Sequence, residues 1–275
     1  MKDDEPIRRN PVVDATRATG RAIGSAAAWI GRKARVAYLG IDPDLRAHLA
    51  QLPLVWLTLI PRGSAEVRPL PDDGHRPVVF VHGLGGAPGN FLPMQVAFRV
   101  RGRRRTYTWP LPRGIPIADL GPVLAAFLEE VAVRNGLARG ERLDVVAHSL
   151  GGLVARLALE HPAARQRVAT LITLGTPHAG SHLARYGAMD VSLALRPGSD
   201  VMERLASQIP WRGPPEMPRL VCVWSPADVI VLPATSARVE GAENIEVPGF
   251  THYSYLIHPR SWSLVFEALG GPTSR

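Results

Sequence analysis

The sequence predicts an α/β fold: a mostly parallel sheet flanked by helices, with a short lid insertion and an N-terminal helical extension. Three observations carry this. Short β-branched runs alternate with longer stretches of helical apolar spacing, the pattern of right-handed βαβ units. One run, Leu143-Asp144-Val145-Val146-Ala147-His148, stops at Ser149 and is followed by glycines at 151 and 152 and a helical row (Leu153, Val154, Leu157, Ala158). Asp228 and His252 each follow a later strand-like run, which places both at the same sheet edge as Ser149.

Taken in order, the first 74 residues form a basic and apolar extension. Met1-Lys2-Asp3-Asp4-Glu5-Pro6 has no apolar stretch behind a basic start, so no signal peptide is expected and a cytoplasmic location is. Residues 14–39 carry Arg17, Arg21, Lys33 and Arg35 among small and apolar residues, a pattern that suits a basic amphipathic helix on a membrane or packed against the body. Leu52-Pro53-Leu54-Val55-Trp56-Leu57-Thr58-Leu59-Ile60 is too short for a span, which needs about 20 residues, and is expected to dock on the body. Turn chemistry at Pro71-Asp72-Asp73-Gly74 sets the expected boundary, with the catalytic domain over 75–275.

The 275 residues are 46% hydrophobic and 20% charged, enough for one sizeable core. The net charge is +8, and Arg101, Arg103, Arg104 and Arg105 cluster without interleaved aromatics or a nucleic-acid motif. No nucleic-acid partner is expected, and the cluster reads as a solvated face. Cys222, the single cysteine, lies in an apolar run and reads as a small buried hydrophobe.

The body begins with the buried-strand run Pro77-Val78-Val79-Phe80-Val81 breaking into His82-Gly83-Leu84-Gly85-Gly86. Its spacing fails both the dinucleotide and the P-loop patterns. It fits a loop after an early strand that supplies half of an oxyanion hole. Helix signals follow over 90–100, then a strand near 105–109. A helix over 117–135 carries Leu120, Val123, Leu124, Phe127, Leu128 and Val131 as its core row. Residues 168–174 form a strand, and 181–218 interrupt the rhythm as a lid or cap, with Ser199 as N-cap of a short helix. Strands over 219–224 and 244–247 lead to Asp228 and His252.

Together His82-Gly83-Leu84-Gly85-Gly86 with Asn90-Phe91, Ala147-His148-Ser149-Leu150-Gly151-Gly152, Thr173-Leu174-Gly175-Thr176-Pro177-His178, 225–228 and 249–252 resemble the α/β-hydrolase fold, and within it the bacterial triacylglycerol lipases. Ala147, where the elbow's first glycine usually stands, is similar to the Bacillus-type variant. The resemblance covers about 77–269 and implies acyl transfer through a covalent intermediate. Ser149 is then the nucleophile, His252 the base, and Asp228 the residue holding the histidine, while the N–H groups of Leu84 and Leu150 receive the oxyanion. Placement after a strand selects His252 over His258, and Asp228 over Asp190 and Asp200. His82, His148 and His178 are read as packing and support. No cofactor or metal is required.

The expected substrate is an acyl or lipid ester. The basic extension admits an alternative, a membrane-associated phospholipase, thioesterase or acyltransferase with the same triad and peripheral membrane contact. A non-catalytic binding protein on the same scaffold is the remaining class.

Overall fold

The computed structural model describes residues 40–60, 66–112, 114–187, 189–215 and 217–270. The basic segment 14–39 lies outside the described residues. Contacts divide the chain into Met1–Arg46 and Ala47–Arg275, and the second unit holds the sheet.

In chain order the described elements are α1 (Pro43–Leu57), β1 (Val78–Val81), a 3-10 turn (Pro88–Phe91) leading into α2 (Leu92–Val100), β2 (Thr106–Trp109), α3 (Ile117–Arg134), β3 (Leu143–His148), α4 (Leu150–Ala158), α5 (Pro162–Arg167), β4 (Val168–Leu174), α6 (Asp190–Ala194), α7 (Asp200–Ala206), β5 (Arg219–Trp224), β6 (Glu243–Glu246), α8 (Ser254–Ile257) and α9 (Pro259–Ala268). The six strands form one sheet in the order β2-β1-β3-β4-β5-β6, parallel throughout.

A parallel sheet needs cover on both faces, and the inner strands β1, β3, β4 and β5 are accordingly mostly apolar. Val79 and Val81 of β1 point into one cluster with Leu124 and Leu128 of α3 and Leu153 and Leu157 of α4. Val78 and Phe80 point the other way, onto Phe98 of α2 and Val265 of α9. The edge strand β6 presents exposed glutamates at both ends, which discourages pairing with another chain.

Within α3 the inward row is Leu120, Leu124, Leu128 and Val131, but Val123 is exposed, contrary to expectation. The close approach to α4 lies instead at Gly121, where a Cβ would stand 2.9 Å from the Leu157 carbonyl. In the 181–218 segment the Ser199 hydroxyl accepts the Met202 N–H at 3.3 Å, and Val201, Met202 and Leu205 of α7 are buried in the core.

Two expectations need correction. The arginine cluster is only half a solvated face: Arg101 and Arg104 are exposed, but Arg103 is buried and its Nη2 donates to the buried Asp144 at 3.2 Å, while Arg76 Nε meets the same carboxylate at 3.2 Å. The Pro71-Asp72-Asp73-Gly74 stretch does not separate two bodies. Asp73 accepts the backbone N–H groups of Arg104 and Arg105, Arg105 pairs with Asp72 at 2.8 Å, and the unit containing the sheet starts at Ala47. Turn-forming aspartates also make good acceptors for a neighbouring edge, and that use prevails here.

Candidate active site

Ser149 sits between β3 and α4 at φ 54° and ψ −125°, the one described non-glycine residue with positive φ. A single such residue costs about 1–3 kcal/mol and persists only where its surroundings hold it. They do so here. The Ser149 N–H donates to the Leu174 carbonyl at 2.9 Å, and its own carbonyl accepts the Gly152 N–H at 3.0 Å and the Thr176 hydroxyl at 2.9 Å. The neighbouring glycines are steric necessities. A Cβ on Gly83 would come within 2.9 Å of the Ser149 Cβ, and one on Gly151 would stand 2.7 Å from the His82 carbonyl. Ala147, in contrast, is fully buried within β3.

The loops after β5 and β6 bring Asp228 and His252 to this serine. His252 Nε2 lies 2.9 Å from the Ser149 hydroxyl oxygen, and its Nδ1 lies 3.0 Å from Asp228 Oδ2. Burial by itself would raise the Asp228 carboxyl. The charge and hydrogen bond of His252, with the N–H groups of Ile230 and Val231 at 2.9 and 3.2 Å, outweigh it and hold the carboxyl below its usual range. Both residues are almost wholly buried.

The other histidines are committed elsewhere. His148 faces the His252 carbonyl at 2.9 Å, so its Nε2 must carry the proton and donate; burial, with the charge of His252, pushes its pKa down to about 3. A neutral imidazole thus fixes the backbone of His252. His82 Nδ1 donates to the Gly83 carbonyl at 3.0 Å and steadies the glycine loop. His178 is fully buried beside Arg156, Thr173 and Cys222, where burial and the Arg156 charge keep it neutral. His258 caps α9 by accepting the Arg260 N–H at 3.1 Å.

Leu84 and Leu150 line the same cavity as Ser149 and His252, a space of about 280 Å³. Its further walls are mostly apolar, with Leu183 and Leu195 from the 181–218 segment and Ile230 and Val231 from the loop after β5, interrupted by Ser181 and Ser192. Leu150 opens α4, so its N–H is one of the groups that a helix start leaves without an intrahelical partner. A slightly larger cavity, about 320 Å³, opens at the opposite sheet edge among Asp72, Arg76, Arg105 and Arg142. It holds no nucleophile and base in contact.

Two residues at the site, Gln51 and His48, escape sequence reasoning, and a third, Asn90, is legible there only as part of the glycine-loop motif. Gln51 of α1 bridges the residues flanking His252: the Thr251 hydroxyl donates to its Oε1 at 2.9 Å, and its Nε2 donates to the Ser254 hydroxyl at 2.9 Å. His48, one turn earlier, stacks on Tyr253 with centroids 4.9 Å apart. Asn90 accepts the Ala87 N–H at 2.7 Å and donates to the Thr58 hydroxyl at 2.8 Å, tying the glycine loop to the end of α1. For Gln51 and His48 the available signal was weak, polar residues facing inward on an otherwise apolar helix.

Comparison with known proteins agrees with this architecture. Residues 126–190, which include β3, Ser149 and β4, match the family model described as PGAP1-like alpha/beta domain. A 118-residue stretch is 33% identical to a protein named probable esterase PIR7A from Oryza sativa subsp. indica, covering 41% of this chain and 44% of that protein. The chain thus spans less than half the length of that curated relative. Among solved structures, Aspergillus fumigatus lipase B superposes with a TM-score of 0.63 at 17% identity, over 77% of this chain and 56% of that one. The mature form of Bacillus licheniformis lipase BlEst2 gives 0.62 at 21% identity, over 74% and 96%. By its parallel sheet, its connectivity and these likenesses, the chain has the α/β-hydrolase fold found in lipases and esterases.

Proposed function

We propose that the protein is a serine hydrolase of carboxylic esters, acting through Ser149, His252 and Asp228. The observation that carries this reading is the unbroken chain from Ser149 Oγ to His252 Nε2 at 2.9 Å and from His252 Nδ1 to Asp228 at 3.0 Å, at the wall of an apolar cavity. The names of the esterase and lipases it resembles support the same class.

In the first half-reaction His252 Nε2 takes the hydroxyl proton as Ser149 Oγ attacks the ester carbonyl. The negative charge that develops on the carbonyl oxygen meets the N–H groups of Leu84 and Leu150; one such donor is worth about 3 kcal/mol in the transition state. Asp228 holds the ring with Nδ1 protonated and balances the imidazolium. The proton then passes to the leaving alcohol, and the bond between carbonyl carbon and alcohol oxygen breaks, leaving an acyl-Ser149. Water, deprotonated by the same His252, attacks this acyl group and releases the acid.

The test is hydrolysis of chromogenic butyrate and palmitate esters by the native chain and by Ser149→Ala. Activity that the substitution abolishes, with covalent labelling of Ser149 by a fluorophosphonate, bears out the reading. Full activity in the variant refutes it.

One observation favours an ester borne on a lipid surface. Large apolar side chains are exposed on α1, Trp56 and Leu57, and in the 181–218 segment that contributes Leu183 and Leu195 to the cavity, Tyr186 and Met189. No described helix is long and apolar enough to cross a membrane, so such contact would be peripheral. Flotation with anionic liposomes, native chain against a Trp56→Ser, Leu57→Ser variant, checks it; equal binding of the two would discard the contact.

A further inference from the structure

A second, smaller chamber lies beside the cavity of Ser149. It measures about 140 Å³ and shares Leu84, His148 and Tyr253 with its larger neighbour. One wall is α1 and the turn after it, through Leu52, Val55, Trp56 and Leu59; Leu256 stands opposite, and the loop 83–86 borders it. Three of that loop's four residues are glycine and expose backbone alone.

We propose that this chamber is a second substrate subsite, built by α1, that takes a short unbranched apolar arm of an ester whose other arm lies in the 280 Å³ cavity; this rests on the ester-hydrolase reading above. An ester carbonyl carries two arms, and the two chambers meet at Leu84, whose N–H is the assigned oxyanion donor. At half the volume of its neighbour, the chamber suits the shorter of the two arms.

The lining chemistry selects an apolar guest. Leu52, Val55, Trp56, Leu59, Leu84 and Leu256 contribute hydrocarbon or indole surface, and no charged residue is among the walls. Two of the polar side chains that remain are engaged elsewhere: the Asn90 amide on Ala87 and Thr58, and His148 Nε2 on the His252 carbonyl. A charged or hydroxylated arm would lose its water there without gaining a partner.

The wall is also fixed in place. Gln51 is bonded to Thr251 and Ser254, His48 is stacked on Tyr253, Thr58 is bonded to Asn90, and the Gly89 N–H reaches the Ile60 carbonyl at 3.2 Å. A chamber with pinned walls discriminates by length, and each methylene that fits or fails to fit changes the rate about 10-fold or more.

Two ester series test this: acetates of straight-chain alcohols and methyl esters of straight-chain acids, each from one to eight carbons in the varied arm. Leu59→Trp fills the chamber and Trp56→Ala opens it, both at partly exposed positions where the fold tolerates change. Cooperative thermal unfolding is checked first for each. The expected result is that Leu59→Trp lowers kcat/KM for the four-carbon member relative to the one-carbon member by ~10-fold in one series only, while Trp56→Ala moves the optimum of that same series to longer chains. Unchanged ratios in both series overturn the proposal. A second readout needs no turnover: in Ser149→Ala, 4-bromobutyl acetate quenches tryptophan emission saturably, and adding Trp56→Phe removes that component. Saturable quenching in a chain that hydrolyses nothing keeps the chamber and rejects the hydrolase reading. Hydrolysis with neither quenching nor a changed ratio rejects the chamber alone.

Discussion

The two edges of the sheet bury comparable polar machinery and use it in opposite ways. At the amino ends of the strands, Asp144 is enclosed by Arg76 and Arg103, and Asp73 by the backbone of Arg104 and Arg105, so charge is met by charge at once. At the carboxyl ends, Asp228 meets His252, His252 meets Ser149, and Ser149 faces a cavity. The first network ends in charge pairs, even where Arg76 and Arg105 border a cavity; the second ends in a nucleophile that faces one. Burial of ionisable groups therefore marks the candidate site only in combination with a free end that a substrate can reach.

The largest expected effect separates the edges by rate. Asp228→Asn keeps the volume of the side chain but no longer holds the His252 tautomer with Nδ1 protonated, and kcat should fall about 10⁴-fold. The midpoint of urea unfolding should move little. A variant retaining more than a tenth of native kcat would remove Asp228 from the proposed mechanism.

The mirror experiment at the other edge separates them by stability. Asp144→Ala leaves the buried Arg103 guanidinium without its carboxylate, which should cost about 3–5 kcal/mol. Activity per fluorophosphonate-labelled site should stay at the native level in the fraction that remains folded. If that specific activity falls with stability, the two edges are coupled.

Much of this contrast is legible in the sequence, and the reasons are local. Ser149, Asp228 and His252 each follow a recognisable strand, and parallel topology carries such loops to one edge whatever the distances along the chain. All the strands expected are present, with ends shifted by a residue or so where, as at β6, hydrogen bonding rather than apolarity sets the limit. Arg103 misleads because a run of arginines looks the same whether solvated or paired. Its partner is 41 residues away, and the only hint was Asp144 inside an otherwise apolar strand. Gln51 is harder still, since its partners Thr251 and Ser254 lie 200 and 203 residues on and nothing local marks the pairing.

A smaller effect concerns proton linkage at the site edge. His148 is held neutral with its pKa at about 3, while in the unfolded chain it titrates near its ordinary value of about 6.5. Below pH 6.5 the unfolded state binds the extra proton and the folded state does not, so stability is lost as pH falls through the window from about 6.5 to about 3. Between pH 7 and 5 this residue alone should remove about 2 kcal/mol. Urea unfolding at both pH values reads the difference, and His148→Gln should flatten it. An equally steep loss in the variant would assign the acid sensitivity to other groups, His178 first among them.

The smallest effect tests whether α1 belongs to the site edge at all. Gln51 does not touch Ser149 or His252; it holds Thr251 and Ser254 on either side of His252. Replacing it with leucine removes both bonds and lets the loop drift by a fraction of an ångström, while His148 still ties the His252 carbonyl. An imidazole slightly off line slows proton transfer but not substrate entry. Gln51→Leu should therefore lower kcat about 10-fold, or ~1.4 kcal/mol in the barrier, with KM unchanged. Fluorophosphonate labelling, which depends on the same proton transfer, should slow in parallel. Gln51→Glu keeps an oxygen where Oε1 stands and can still accept the Thr251 hydroxyl, though it loses the Nε2 donor to Ser254, so it should recover part of the rate. A leucine variant with native kcat and native labelling would make α1 a passive cover, and the histidine loop would owe its position to the sheet alone.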